Sequence, residues 1–147
     1  MTMTGDYEPS TKDWVREQVA EYESSNGERA NTLRDTGLPI IIVTHRGVKS
    51  GKIRKTPLMR VEHGGEYALV GSSGGSAEHP VWYHNLLAQP DDVMIQDGPE
   101  PFAARTRLLT GDERAVWWER SVACYSRYVD LQGRTEREIP VFLASPR

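Results

Sequence analysis

Basic side chains are concentrated in one short segment of this chain. Five of its 18 basic residues, and no acidic residue, fall between positions 46 and 55; they are Arg46, Lys49, Lys52, Arg54 and Lys55. The remaining 13 basic residues face all 21 acidic residues, so the segment is positive on an otherwise acidic protein. Such local charge predicts a site for an anionic ligand. We also expect Gly47 and Gly51 to let backbone N–H groups point outward, in a nest that binds phosphate or carboxylate.

A second glycine cluster, residues 71–75, has the sequence Gly-Ser-Ser-Gly-Gly and precedes an aromatic helix. Ser72 and Ser73 follow the end of a predicted strand, where their hydroxyls and the first amides of the helix can meet a ligand together. Trp82 and Tyr83 are neighbours on the helix and must face different directions. One is expected to pack on the core and the other to line a cavity that suits a flat ring; two ordinary core aromatics are the alternative.

Three further residues, Tyr125, Tyr128 and Leu131, recur every three positions near the C-terminus. On a helix this spacing puts them on roughly one side. Two interpretations of Tyr128 stay open: it packs in the core, or its hydroxyl lies in the wall of an apolar substrate pocket and orients a carbonyl group.

Other kinds of site are not supported. Gly51-Lys52 lacks the spacing of a phosphate-binding Walker loop, and residues 71–75 lack the Gly-x-Gly-x-x-Gly dinucleotide pattern. The four histidines show no metal-ligand spacing, so we predict no metal. No nucleophile motif of a hydrolase is present. Cys124 is the only cysteine, which excludes an intramolecular disulfide, and we expect it to pack within a helix.

Strands with turn residues between them must position these groups. We predict strands at residues 38–45, 53–62, 66–71, 92–96, 102–109 and 139–144. Six short antiparallel strands joined largely by tight turns indicate a sheet that closes as a barrel. Helices are predicted at residues 11–22, 79–88 and 111–131, the first packed on the core or over a cavity mouth. The fold class is therefore α+β.

The length of 147 residues fits one domain. We expect a flexible tail at residues 1–10, an N-terminal helix and linker at 11–37, and the barrel at 38–147. No apolar run is long enough to span a membrane, and no secretory signal is visible. These features predict a cytoplasmic protein.

Together these pieces resemble the deazaflavin-dependent nitroreductase family, split-barrel oxidoreductases of actinobacteria that use coenzyme F420. The matching segments are residues 51–58, Gly74-Gly75 with residues 80–90, and residues 134–141, whose order and spacing make the resemblance specific. It extends from about residue 39 to the C-terminus. The resemblance implies a split barrel like those of flavin reductases and pyridoxamine oxidases.

The resemblance also implies the cofactor and its contacts. F420 carries a phosphodiester and an oligoglutamate tail, so the basic segment is its expected seat. By motif position, the residues expected to contact the phosphate and side chain of F420 are Val48, Lys49, Ser50, Arg54, Lys55, Thr56, Pro57, Leu58 and Met59. Those expected to cradle the deazaflavin ring are Val70, Gly71, Ser72, Ser73, Val81, Trp82, Tyr83, His84 and Asn85, and Tyr128 matches a tyrosine at the ring and substrate pocket.

The implied reaction is hydride transfer from the reduced coenzyme F420H2 to an electron-poor acceptor, with Tyr128, Ser72 or Ser73 donating a hydrogen bond to the acceptor oxygen. Expected acceptors are quinones such as menaquinone, α,β-unsaturated carbonyl compounds and nitroaromatics. The family often has a lysine at the position of Ser73 and a tyrosine at that of Leu131, and both differences fall near the reacting groups.

Alternative functions are a split barrel that binds flavin mononucleotide and a non-catalytic barrel that carries a coenzyme or lipid-like molecule. A single phosphate needs fewer positive charges than this segment offers, which ranks flavin mononucleotide second. A nucleic-acid-binding module is disfavoured by the pI of about 5.8. We expect a monomer or homodimer, with peripheral contact to the inner face of the cell membrane as an open alternative if the acceptor is a lipid-soluble quinone.

Overall fold

Seven antiparallel strands form one sheet in this protein, whose structure, a computed structural model, describes residues 3–147. The strands are β1 (Ile40–Arg46), β2 (Ile53–Met59), β3 (Glu62–His63), β4 (Glu66–Val70), β5 (Val93–Gln96), β6 (Pro101–Leu108) and β7 (Val141–Pro146). Their order in the sheet is β2-β1-β5-β6-β7-β4-β3. The prediction of an α+β chain built on an antiparallel barrel is confirmed.

A change of pairing partner between Arg60 and Val61 closes the barrel. The backbone N–H of Arg60 donates to the carbonyl of Pro39 at 3.0 Å, whereas the carbonyl of Val61 accepts from the N–H of Ala68 at 2.9 Å. One continuous stretch of chain therefore pairs first with β1 at one end of the sheet and then with β4 at the other. The single strand predicted at 53–62 is in fact two strands, because the pairing partner changes between Arg60 and Val61.

Strand β1 has a buried apolar residue at each of its first four positions, and alternate residues enter different cores. Ile40 and Ile42 belong to the cluster that contains Trp117 and Tyr128. Ile41 and Val43 belong to the cluster that contains Trp82, Leu86 and Phe142. Since successive side chains of a strand point to opposite faces, the sheet is covered on both sides.

Within residues 3–147, four α-helices pack on the sheet: α1 (Asp13–Ser24), α2 (Val81–Ala88), α3 (Gly111–Cys124) and α4 (Arg127–Gly133). The single helix predicted at 111–131 is wrong. Tyr125 has an extended backbone, with φ −148° and ψ 91°, and separates α3 from α4. Cys124 is the last residue of α3 and is exposed rather than packed, because the buried positions of that helix are Trp117 and Ser121.

The N-terminal segment follows the outer edge of β2. The Ile53 N–H donates to the carbonyl of Asp6 at 2.8 Å, and the Ile53 carbonyl accepts from the N–H of Glu8 at 2.9 Å. Arg46 donates to the carbonyl of Thr4 at 2.9 Å. The tail predicted at 1–10 includes residues 1 and 2, which lie outside the described residues, and its flexibility stays a prediction.

Candidate functional site

Three adjoining pockets, together called the groove, share lining residues on the barrel. The basic end of the groove has a volume of about 620 Å³, its middle about 300 Å³ and its apolar end about 360 Å³. The basic end and the middle share Arg54, Val81 and Asn85 as lining residues. The middle and the apolar end share Trp14, Pro57, Pro80 and Trp82. The shared residues show that the three pockets are neighbours.

The basic end is formed by the loop between β1 and β2, with Val48, Lys49 and Ser50 in its wall. The expected nest of outward N–H groups is not found at the loop glycines. The Gly47 N–H donates to the carbonyl of Lys52 at 2.8 Å, and the Gly51 N–H donates to the carbonyl of Gly47 at 3.0 Å. These two amides therefore close the turn itself and do not point outward to a ligand.

Three of the five basic residues in this segment pair with acids that are distant in sequence. Arg46 pairs with Asp92 at 2.6 Å and Arg54 with Glu8 at 3.2 Å, while Lys55 pairs with Glu23. Lys55 also lies 5.0 Å from the ring centroid of Tyr7.

Lys49 and Lys52 form no ion pair with any residue in the described part of the chain. Of these two lysines only Lys49 lines the groove. The positive charge inferred from the sequence is therefore smaller at the site than the count of basic residues indicates.

The middle of the groove contains a buried polar chain. His45 lies at its centre, 3% exposed, with its Nδ1 3.0 Å from Asn85 Nδ2 and its Nε2 3.2 Å from Thr56 Oγ1. The Val48 N–H donates to Asn85 Oδ1 at 3.0 Å. Burial, and secondarily the nearby Arg54 charge, lowers the pKa of His45 from 6.5 to about 4. The imidazole is thus neutral at physiological pH.

The apolar end is walled by β2, β4, α4 and the 72–74 loop, and it brings together all three candidate catalytic residues: Tyr128, Ser72 and Ser73. Tyr128 is 4% exposed, and its ring meets that of Tyr125 edge to face at 5.0 Å. Burial raises the pKa of the Tyr128 hydroxyl above its usual value. That hydroxyl hydrogen-bonds to no residue in the range 3–147, so a ligand in the cavity is its available partner.

The 72–75 loop has an unusual backbone. Ser73, Gly74 and Gly75 have φ values of 47°, 64° and 78°, all in the left-handed region that favours glycine. A Cβ at Gly75 would also lie 3.0 Å from the carbonyl oxygen of Leu131. A serine at such a φ needs support from its surroundings.

Arg137 supplies that support from the far side of the loop. Its guanidinium donates to the carbonyl oxygens of Ser76 at 2.9 Å, Gly71 at 3.2 Å and Ser72 at 2.8 Å. It also contacts Nδ1 of His79 at 3.1 Å. One planar side chain therefore fixes both ends of the loop that carries Ser72 and Ser73.

Most residues predicted to bind the cofactor line this groove, and Gly71 and Tyr83 do not. A Cβ at Gly71 would lie 2.7 Å from Pro140 Cγ, so glycine permits that close contact. Tyr83 stacks on His79 at 4.0 Å and packs against Phe142, whereas Trp82 lines the groove. The structure thus shows which of the two adjacent aromatics faces the cavity. The binding roles of the lining residues stay predictions.

Sequence reasoning missed several lining residues. Trp14 and Val15 of α1 lie in the wall, as do Pro80 and His45. The first helix has an amphipathic pattern and was predicted to pack on the core or over a cavity mouth. That pattern was a usable signal that Trp14 could line a cavity. No such signal exists for His45, because a histidine near the end of an apolar strand does not reveal its cross-strand partners.

Within residues 3–147 there is no group of three or more histidine, cysteine, aspartate or glutamate side chains that could hold a metal ion. None of the helices in this range has the length and apolar character needed to cross a membrane.

Comparison with known proteins gives a consistent result. The profile of the F420H(2)-dependent quinone reductase family matches residues 14–146. An F420H(2)-dependent quinone reductase of Mycobacterium tuberculosis (strain ATCC 25618 / H37Rv) is 34% identical over 137 residues, covering 90% of each protein. A solved structure of an F420-H2 dependent reductase is 46% identical with a TM-score of 0.69, and the match covers 73% of this chain and 94% of that one.

A second solved structure, described as a domain-swapped dimer, is 42% identical with a TM-score of 0.71 and covers 92% of this chain and 100% of its own. The family profile begins at residue 14 and so includes most of α1, which lies before the segments that carried the resemblance. The split-barrel fold expected from those segments is confirmed.

Proposed function

The chain belongs to the F420H(2)-dependent quinone reductase family, and we propose that it binds reduced F420 along the groove and delivers hydride to a quinone-type acceptor at the apolar end. Membership of this family identifies the chain as an F420H2-dependent oxidoreductase. Menaquinone, α,β-unsaturated carbonyl compounds and nitroaromatics are the proposed acceptors.

The observation that carries this proposal is that a basic pocket and an apolar pocket both adjoin the same middle pocket. The basic end presents Lys49 and Arg54, which suit the phosphodiester and oligoglutamate of F420. The apolar end is walled by Trp82, Met59 and Tyr128, which suit a flat ring and an apolar acceptor. A ligand that is anionic at one end and aromatic at the other matches both ends.

When bound, the coenzyme supplies two electrons as a hydride. The side chains of the apolar end hold the ring and the acceptor against each other and exclude water. The Tyr128 hydroxyl, kept protonated by its raised pKa, is proposed to donate a hydrogen bond to the acceptor oxygen as negative charge develops there. Ser72 and Ser73 are the other proposed donors in that cavity.

A fluorescence titration of the purified protein with F420 and with flavin mononucleotide, at low and moderate salt, tests the cofactor. We expect tight binding of F420 alone that weakens with salt, because exposed charges are screened. Lys49→Ala should weaken binding about two- to fivefold and Arg54→Ala about tenfold. Lys52→Ala is the matched control, since it removes a charge from the same loop outside the groove.

Two outcomes would contradict the proposal. A preference for flavin mononucleotide would indicate the alternative oxidoreductase. Tight F420 binding without oxidation of the reduced coenzyme by menaquinone or the other acceptors would indicate a non-catalytic carrier.

The assembly and location are also proposals. One solved relative is a domain-swapped dimer, and a monomer or homodimer of this chain is proposed, which sedimentation at several concentrations would distinguish. We also propose a cytoplasmic location, a small-molecule acceptor and no nucleic-acid partner. Flotation with lipid vesicles tests peripheral membrane contact.

A further inference from the structure

We propose that His45 is a positioning residue that fixes the direction of a hydrogen-bond chain from the 47–50 loop to Thr56, so that the Thr56 hydroxyl donates to the phosphodiester of F420. The inference rests on the proposed function for the identity of the ligand. It deepens that function by adding a neutral donor to the cationic side chains of the site.

The direction of the chain follows from one backbone group. The Val48 N–H is only a donor, so the Asn85 atom facing it at 3.0 Å must be the acceptor Oδ1. The Asn85 atom facing His45 is therefore the amide nitrogen Nδ2, which donates to His45 Nδ1 at 3.0 Å. The opposite assignment of the amide would bring two donors together at Val48, the NH2 of Asn85 and the backbone N–H, and is excluded on that ground.

The tautomer of His45 is thereby determined. Because Nδ1 accepts a hydrogen bond, the proton of the neutral ring is on Nε2. Nε2 lies 3.2 Å from Thr56 Oγ1, so the ring donates and the threonine oxygen accepts. A doubly protonated ring would break the link to Asn85, and burial beside the cross-strand neighbour Arg54 opposes that form.

Thr56 is left with its own hydroxyl hydrogen. Its oxygen already accepts from His45, and the hydroxyl has no other hydrogen-bond partner within residues 3–147. Thr56 lines the middle of the groove together with Arg54, which lies two positions away on the same face of β2 and also lines the basic end. An anionic oxygen beside Arg54 is the acceptor that the remaining hydrogen suits, and a phosphodiester supplies such oxygens.

The same chain reaches the loop at the basic end. Asn85 lies on α2 and holds the backbone of Val48, while His45 lies at the end of β1 and holds Asn85. Loss of the imidazole therefore removes two hydrogen bonds: one that orients Thr56, and one that orients the amide under the loop.

The experiment measures F420 affinity by fluorescence for four variants, with thermal unfolding of each as a check on folding. Thr56→Val removes the hydroxyl and keeps the shape, and it should weaken binding about tenfold, whereas Thr56→Ser should stay within about threefold of wild type. His45→Leu should weaken binding at least as much as Thr56→Val. His45→Gln should recover most of the loss, because its amide can accept from Asn85 and donate to Thr56.

A second readout needs no ligand. Long-range proton–nitrogen NMR of the free protein at neutral pH should show His45 with a protonated Nε2 and an unprotonated Nδ1. The other tautomer would overturn the proposal whatever the affinities are.

The binding outcomes separate this inference from the proposed function. Wild-type binding of F420 together with an unchanged affinity of Thr56→Val would overturn the role of Thr56 and leave the proposed function standing. A loss in His45→Leu that His45→Gln does not recover would show that the ring acts by packing, and would also overturn the inference. Failure of wild type to bind F420 would overturn both.

Discussion

Glu8 lies in the wall of the basic end, and its carboxylate contacts Arg54 at 3.2 Å. An internal carboxylate thus lies at the position where the proposed function needs an anionic ligand. Both side chains are partly exposed, so the pair is weak, and a ligand with several negative charges can displace it. The free chain keeps Arg54 paired until that ligand arrives.

Replacing Glu8 by Gln should therefore tighten F420 binding. An exposed pair contributes about 0.2–1 kcal/mol, so the expected gain is up to about fivefold at low salt and less at high salt. Fluorescence titration measures it. Glu119→Gln, which makes the same charge change on an exposed position of α3, is the control and should leave the affinity unchanged. Weaker binding by Glu8→Gln would show that Glu8 supports the site instead of competing for it.

Replacing Tyr128 by Phe removes one hydroxyl from the apolar end. We expect the turnover of quinone acceptors to fall about tenfold or more, because a donor aimed at developing charge is lost, while F420 affinity changes little. Steady-state kinetics with several acceptors measures the change. Because the pKa of Tyr128 is raised above 10, wild-type turnover should show no loss from ionisation of this phenol up to about pH 10. Unchanged turnover in the variant would assign the role to Ser72 or Ser73, which Ser→Ala variants test.

His45 should also make stability depend on pH. Its pKa is about 4 in the folded chain and near 6.5 when unfolded, so the unfolded chain binds the extra proton between these values. Stability is unaffected by this group above about pH 6.5 and falls as pH drops toward 4, by about 2–4 kcal/mol in all.

Urea unfolding of wild type and His45→Gln at pH 7.5, 5.5 and 4.5 isolates this effect, because other titrating groups are common to both. The stability of wild type relative to the variant should decrease as the pH falls. A constant difference across that range would mean that the imidazole titrates normally in the folded protein.

At the scale of elements, the loop between β4 and α2 depends on a residue that lies far along the chain. Arg137 holds the carbonyl oxygens of Gly71, Ser72 and Ser76 from one guanidinium. Lysine has a single nitrogen and cannot reproduce that fork. The loop and its left-handed serine are thus held by the segment before β7.

Arg137→Lys should accordingly destabilise the protein by about 1–3 kcal/mol, since the partly buried carbonyl groups of Gly71 and Ser72 lose hydrogen bonds from a charged donor. Urea unfolding measures this, with Arg127→Lys at an exposed position of α4 as the matched control. Reduced turnover should accompany the loss, because Ser72 and Ser73 would no longer be held in place. A variant as stable as wild type would show that water replaces the guanidinium at these carbonyls.

Element prediction from the sequence succeeded where a short apolar run lies between turn residues, as in β1, β4 and β5. It failed at Tyr125, where the three-residue spacing of Tyr125, Tyr128 and Leu131 continues across the break and no glycine or proline marks it. It failed also at Arg60 and Val61, because a change of pairing partner leaves no trace in local composition. Both features depend on tertiary contacts, which local patterns do not report.

At the scale of the whole molecule, the fold class and most of the groove wall were predictable, whereas the electrostatics of the groove were not. In the sequence, the segment from Arg46 to Lys55 is strongly basic. In the folded chain, Glu8, Glu23 and Asp92 come to it from the N-terminal segment, α1 and the turn before β5. Charge partners separated by more than 30 residues cannot be read from composition, and the same is true of the His45 chain.

The two ends of the groove are formed by different segments of the sequence. Its basic end comes from the 47–50 loop and β2. The apolar end receives Tyr128 and Leu131 from α4, which begins after the extended residue Tyr125 that ends α3. Mutations within the seven residues of α4 can therefore alter the apolar end while the basic end, where F420 is proposed to be anchored, stays unchanged. Under the proposed function, duplicated copies of such a chain could diverge in acceptor preference through one short helix, each still drawing on the same pool of reduced F420.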